Sequence, residues 1–69
     1  MSNEDQLKLI AAGFTLLRIV DEPGKCELHE RTVHFKEWRR LEKFETRTWL
    51  KQKLTWLLKD KFTVLMEWE

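Results

Sequence analysis

The side chains able to do covalent or metal chemistry are few: Cys26, His29, Glu30 and His34 lie close together, with Ser2 far from them. A thiol–imidazole pair works only if both groups converge on one reacting atom. Cys26-Glu27-Leu28-His29 alternates apolar with polar residues, the period-two pattern of a half-buried strand. In a strand, residues three apart point to opposite faces. Cys26 is therefore expected as a small packed thiol and His29 as a surface imidazole. Structural zinc sites draw on two pairs of ligands, each pair close in sequence. Cys26, His29, Glu30 and His34 make one such group, and no second group follows. Ser2 sits at the start of a helical pattern, where a hydroxyl serves as a cap. No glycine-rich loop is present to cradle a phosphate. Glu22, Glu27, Glu30, Glu37, Glu42 and Glu45 read as solvated charge. The expectation is a protein without catalytic residues, metal or cofactor, and with no small-molecule substrate.

Binding surfaces are better represented. Trp49 and Trp56 are seven residues apart, so on a helix they stack on one side, at the edge of an apolar stripe of Leu50, Leu54, Leu57 and Leu58. Lys53 falls between the stripe and the indoles. The leucines are expected to enter a core and the indoles to form an exposed or half-exposed shelf. Trp68, near the C-terminus, is the third candidate contact residue. The run Phe62 to Met66 is apolar on both strand faces, so at a sheet edge it could pair with a second copy. A protein partner, with a homodimer as the leading form, is the first expectation. The alternative is a nucleic-acid-binding accessory protein using the basic segment 39–53, with Arg39, Arg40, Lys43 and Arg47 as contacts and Trp38 and Trp49 interleaved. Glu42 and Glu45 interrupt that segment.

The elements that must position these groups follow from spacing. Ser2 with Glu4 and Asp5 opens a helix over Asn3 to Ala12, and Gly13 stops it. Residues 14–33 read as a β-hairpin turning at Pro23-Gly24, the pair a type II turn requires. In residues 34–45, Phe35, Trp38, Leu41 and Phe44 recur every third position, which suits neither helix nor strand. A third strand from Trp38 to Phe44 is preferred to a helix because it completes a stable meander. Thr46 caps a second helix that runs to about Lys59, and Phe62 to Met66 forms a fourth strand. The expected fold is α+β: a small antiparallel sheet in the order α-β-β-β-α-β, with two helices on one face and residues 1–69 as a single domain.

The charge balance supports this reading. Thirteen basic residues face twelve acidic ones for a net charge of +1, too even for a strong polyanion-binding field. Four Trp and four Phe against no Tyr weight the aromatics toward contact residues. The lone Cys26 fits a reducing compartment, and the acidic start resembles no secretory leader, so cytoplasm is expected. No run of residues approaches the length and apolarity of a membrane span.

The strings Gly13-Phe14-Thr15-Leu16-Leu17-Arg18 and Trp38-Arg39-Arg40-Leu41-Glu42-Lys43-Phe44-Glu45-Thr46 resemble a family of short uncharacterised bacterial proteins over about two thirds of the chain. The resemblance implies an arrangement and no chemistry. After Thr46 the chain departs from it, with Arg47-Thr48-Trp49-Leu50 in place of an Ala- and Arg-rich stretch. The order α-β-β-β-α is also similar to that of the double-stranded RNA-binding domain, but the Lys-Lys-x-Ala-Lys helix start of that domain is absent.

Overall fold

The computed structural model describes residues 2–68, with side chains described through Met66. Ser2 is extended, and its hydroxyl oxygen accepts the Asp5 N–H at 3.2 Å, which opens α1 (Asn3–Ala11). Gly13 ends the helix at φ 98°, a left-handed conformation open to a residue without Cβ. β1 (Thr15–Glu22) and β2 (Lys25–Arg31) form the hairpin. Gly24 at its turn has φ 76°, as the second central residue of a type II turn requires. A connection over residues 32–38 leads to β3 (Arg39–Lys43), so the strand, and not the helix, is what this ambiguous stretch forms. The Thr46 hydroxyl accepts the Trp49 N–H at 3.3 Å and caps α2 (Arg47–Leu57), after which β4 (Thr63–Trp68) closes the described chain.

The α+β class and the α-β-β-β-α-β order are those expected. The sheet order is β3-β2-β1-β4. One feature corrects the all-antiparallel expectation: β1–β2 and β2–β3 pair antiparallel, but β4 runs parallel to β1, so the sheet is mixed. The cause is α2. A chain that leaves β3, returns along a helix and re-enters the sheet has reversed direction twice, which makes β4 parallel to β3 and hence to β1.

The placement of the helices is a second correction. Cross-strand pairs share a face, so Leu17, Ile19, Cys26 and Leu28 lie on one side, and Leu16, Arg18, Val20, Glu27, His29 and Arg31 on the other. The first side packs with Phe44 and with Leu50 and Leu54 of α2 into the apolar core. The second side meets α1, where the buried Gln6 Oε1 accepts from Arg31 Nη1 at 2.8 Å. The helices therefore lie against opposite faces. A helix carrying a buried glutamine matches the face that carries a buried guanidinium, and the leucine-faced helix matches the apolar one. Arg31 Nε also donates to the Lys36 carbonyl at 2.6 Å, tying down the 32–38 connection. No described helix is long and apolar enough to cross a membrane.

Candidate functional site

α2 divides its side chains sharply. Leu50 is fully enclosed and Leu54 nearly so, while Trp49 and Trp56 are 62% and 63% exposed. The indoles thus form the ledge expected of their seven-residue spacing, and Lys53 Nζ sits 5.1 Å from the Trp56 ring centroid. Leu57 is half-buried and Leu58 exposed, so the leucine stripe leaves the core at the end of the helix. The side chain of Trp68, the third expected contact, lies outside the described residues.

The end of β3 runs beside the start of α2, and this contact creates a feature that sequence reasoning missed. Glu42, Lys43, Phe44, Glu45, Trp49, Gln52 and Lys53 line a shallow groove of about 480 Å³. Its floor is the buried Phe44, and its wall is the exposed Trp49. Glu42 and Glu45 read in the sequence as plain solvated charge. No linear spacing announces the groove, because its two sides come from different elements. At the other end of the ledge, Trp56 stands beside Lys59, Asp60 and Thr63.

The four basic candidates do not form one positive patch: Lys43 and Arg47 border one hollow, but they share it with Asp21, Glu22 and Glu45. Arg39 pairs with Glu30 at 2.8 Å and lies 3.9 Å from the Phe35 ring centroid, and Arg40 reaches Glu27 at 3.4 Å. Glu30 and Glu27 belong to opposite sheet faces, so the two arginines are drawn apart. Arg47 pairs with Asp21 at 2.7 Å. Lys43 is exposed at the end of β3.

Comparison with protein-family models, curated proteins and solved structures finds no match to this chain.

Cys26 and His29 point to opposite faces, as the strand spacing requires. Cys26 packs against the apolar core. Burial first, and then Asp21, pushes its thiol pKa up, against a smaller opposing pull from Arg47. His29 departs from the surface position expected of it. Only 15% of its side chain is accessible, and it sits inside a polar chain. Arg18 Nη2 donates to His29 Nδ1 at 3.0 Å, and because a guanidinium can only donate, Nδ1 is the acceptor. Nε2 therefore carries the hydrogen and donates to Glu27 Oε1, also at 3.0 Å. The Trp38 ring covers Arg18 with 4.6 Å between the guanidinium carbon and the ring centroid. Arg18 and Glu27 together commit both imidazole nitrogens and leave neither turned toward a substrate. The Glu27 carboxyl is held below its ordinary value, first by the His29 hydrogen bond and then by Arg40, against a desolvation effect of opposite sign. Among the described residues, no group of three or more His, Cys, Asp or Glu side chains is placed to hold a metal ion.

Proposed function

We propose that this chain is a small, non-catalytic protein-interaction module of the adaptor or regulatory accessory kind, which self-associates through the α2 ledge. One observation carries the reading: Trp49 and Trp56 are each more than three-fifths exposed on a helix whose Leu50 is fully enclosed. A ring that merely laps over a core rim is mostly covered, and these are not. Two exposed indoles on one helix side hold the kind of apolar area that association removes from water. Tryptophan is also the residue that most often dominates binding energy at an interface centre. The closed hydrogen bonding of His29 supports a non-catalytic role.

The test is analytical ultracentrifugation over a concentration series. The wild-type chain is expected to sediment as a dimer at high concentration. Trp49→Gln combined with Trp56→Gln should keep the circular dichroism spectrum and sediment as a monomer. A wild-type chain that stays monomeric throughout overturns the self-association.

A further inference from the structure

The two ends of the ledge differ in shape and charge, and the difference is self-complementary. At one end the groove between Phe44 and Trp49 is flanked by Glu42 and Glu45; Lys43 also borders it, but its register against Glu27 places it on the sheet face opposite to Glu42. At the other, Trp56 projects with 63% of its surface exposed, and the exposed Lys59 stands beside it. Asp60, the nearby acid, is turned to its own backbone, where its carboxylate accepts the Phe62 N–H at 2.9 Å. Among the described residues, Glu42, Glu45 and Lys59 make no ion pair within their own chain.

We infer that the occupant of the groove is Trp56 of a second copy of this chain, with Lys59 of that copy facing Glu45 and Glu42. This inference rests on the self-association proposed above and names its geometry. Two α2 helices packed antiparallel about a two-fold axis beside residues 52 and 53 set each Trp56 against the other copy's Trp49. The same operation brings the basic end of each ledge to the acidic end of the other. Gln52 then lies across the axis from Lys53, whose ammonium is already drawn toward its own Trp56 ring. At about 480 Å³ the groove has ample room for an indole. A closed two-fold contact uses every such site twice and leaves none open for chain growth.

A charge-swap pair tests this. Glu45→Lys and Lys59→Glu change exposed side chains, so each variant should retain the wild-type spectrum, and Glu42→Lys replaces Glu45→Lys if that variant folds poorly. Each alone puts like charges at both contacts of the dimer and should weaken it by about tenfold or more. An equimolar mixture of the two restores opposite charges at both contacts and should recover near-wild-type dimerisation as a heterodimer. Trp56→Ala should weaken the dimer by more than about tenfold, as expected of an interface anchor. Three results would overturn the inference. If the mixture stays as weak as its components, or if the Trp56→Ala dimer is as tight as wild type, the groove assignment falls while a ledge-dependent dimer survives. If the wild-type chain never dimerises, both readings fall together.

Discussion

The division of α2 into a core side and a ledge side makes a sharp prediction for two adjacent residues. Leu50 is fully enclosed within the cluster of Leu17, Ile19, Leu28, Phe44 and Leu54. Truncating such a leucine to alanine costs about 2–5 kcal/mol, from lost transfer energy and the cavity left behind. A chain of 69 residues has a total stability of about 3–10 kcal/mol. Leu50→Ala should therefore remove a large part of the stability. At about 4–8 °C per kcal/mol, a loss of ~3 kcal/mol lowers Tm by roughly 12–24 °C. Trp49 is 62% exposed, so about two-fifths of it is covered. Of the roughly 200 Å² an indole buries at most, that is ~80 Å², or ~2 kcal/mol at about 25 cal/mol per Å². Glutamine keeps part of that cover, so Trp49→Gln should cost about 1 kcal/mol. The assay is thermal unfolding followed by circular dichroism, at a dilution where the chain is monomeric, because association would itself raise Tm. If Trp49→Gln falls as far as Leu50→Ala, Trp49 is a core residue and the ledge does not exist.

Other outcomes follow from the far face of the sheet and from Cys26. A carboxylate whose folded pKa is depressed stabilises the fold above its ordinary value, and that contribution fades as pH falls through 4.5 toward the lower folded value. Urea midpoints measured from neutral into acid should drop in that window, and Glu27→Gln should flatten the drop; an unchanged slope would remove Glu27 as its source. Gln6→Ala deprives the buried Arg31 of its side-chain acceptor and should cost about 1.5–3 kcal/mol in urea unfolding. A loss below about 0.5 kcal/mol, the level of an ordinary surface substitution, would show that α1 is not held by this bond. The raised thiol pKa and partial burial of Cys26 predict slow alkylation by iodoacetamide in the folded chain and fast alkylation in urea. Equal rates in both would contradict the packed position.

The local features were legible in the sequence because each rests on one or two residues. Pro23-Gly24 specifies the turn, Ser2 and Thr46 cap their helices, and the leucine spacing of α2 marks its core side. Residues 34–45 carry neither a helical nor a strand period, for a physical reason. β3 is an edge strand with all five residues exposed, so burial imposes no alternation on it, and Leu41 is an extra residue at a bulge against β2. The parallel direction of β4 and the split of the helices between two faces depend on how α2 crosses the sheet, which no local pattern encodes. The polar layer was hidden differently. Arg18, Glu27, His29 and Arg31 occupy the positions that alternation assigns to solvent, and only α1 and the tied-down 32–38 connection convert that side into an interior. Of the candidate site, the indole pair was visible as a spacing. The groove was not, since Glu42 and Phe44 meet Gln52 only through the fold.

The same topology bears on where a second copy can attach. A sheet with two edges offers two strands for pairing, and open edges are the usual route to association in small β-containing domains. Here β3 carries Arg39, Arg40, Glu42 and Lys43 among its five residues, the charged dressing that resists edge pairing. β4 is uncharged from Thr63 to Met66, as the sequence suggested for a pairing strand. Its register against β1 breaks at Met66, however, and a bulge kinks the strand and interrupts any regular ladder. One edge is blunted by charge and the other by an extra residue. What remains unblunted is the helix face, where two indoles stand in water beside a groove wide enough to take one of them. Breaking β4 with Val64→Pro should therefore lower stability, through loss of pairing to β1, more than it changes the dimer-forming surface. A folded variant of β4 that lost dimerisation while Trp56→Ala kept it would move the contact from the helix to the sheet edge.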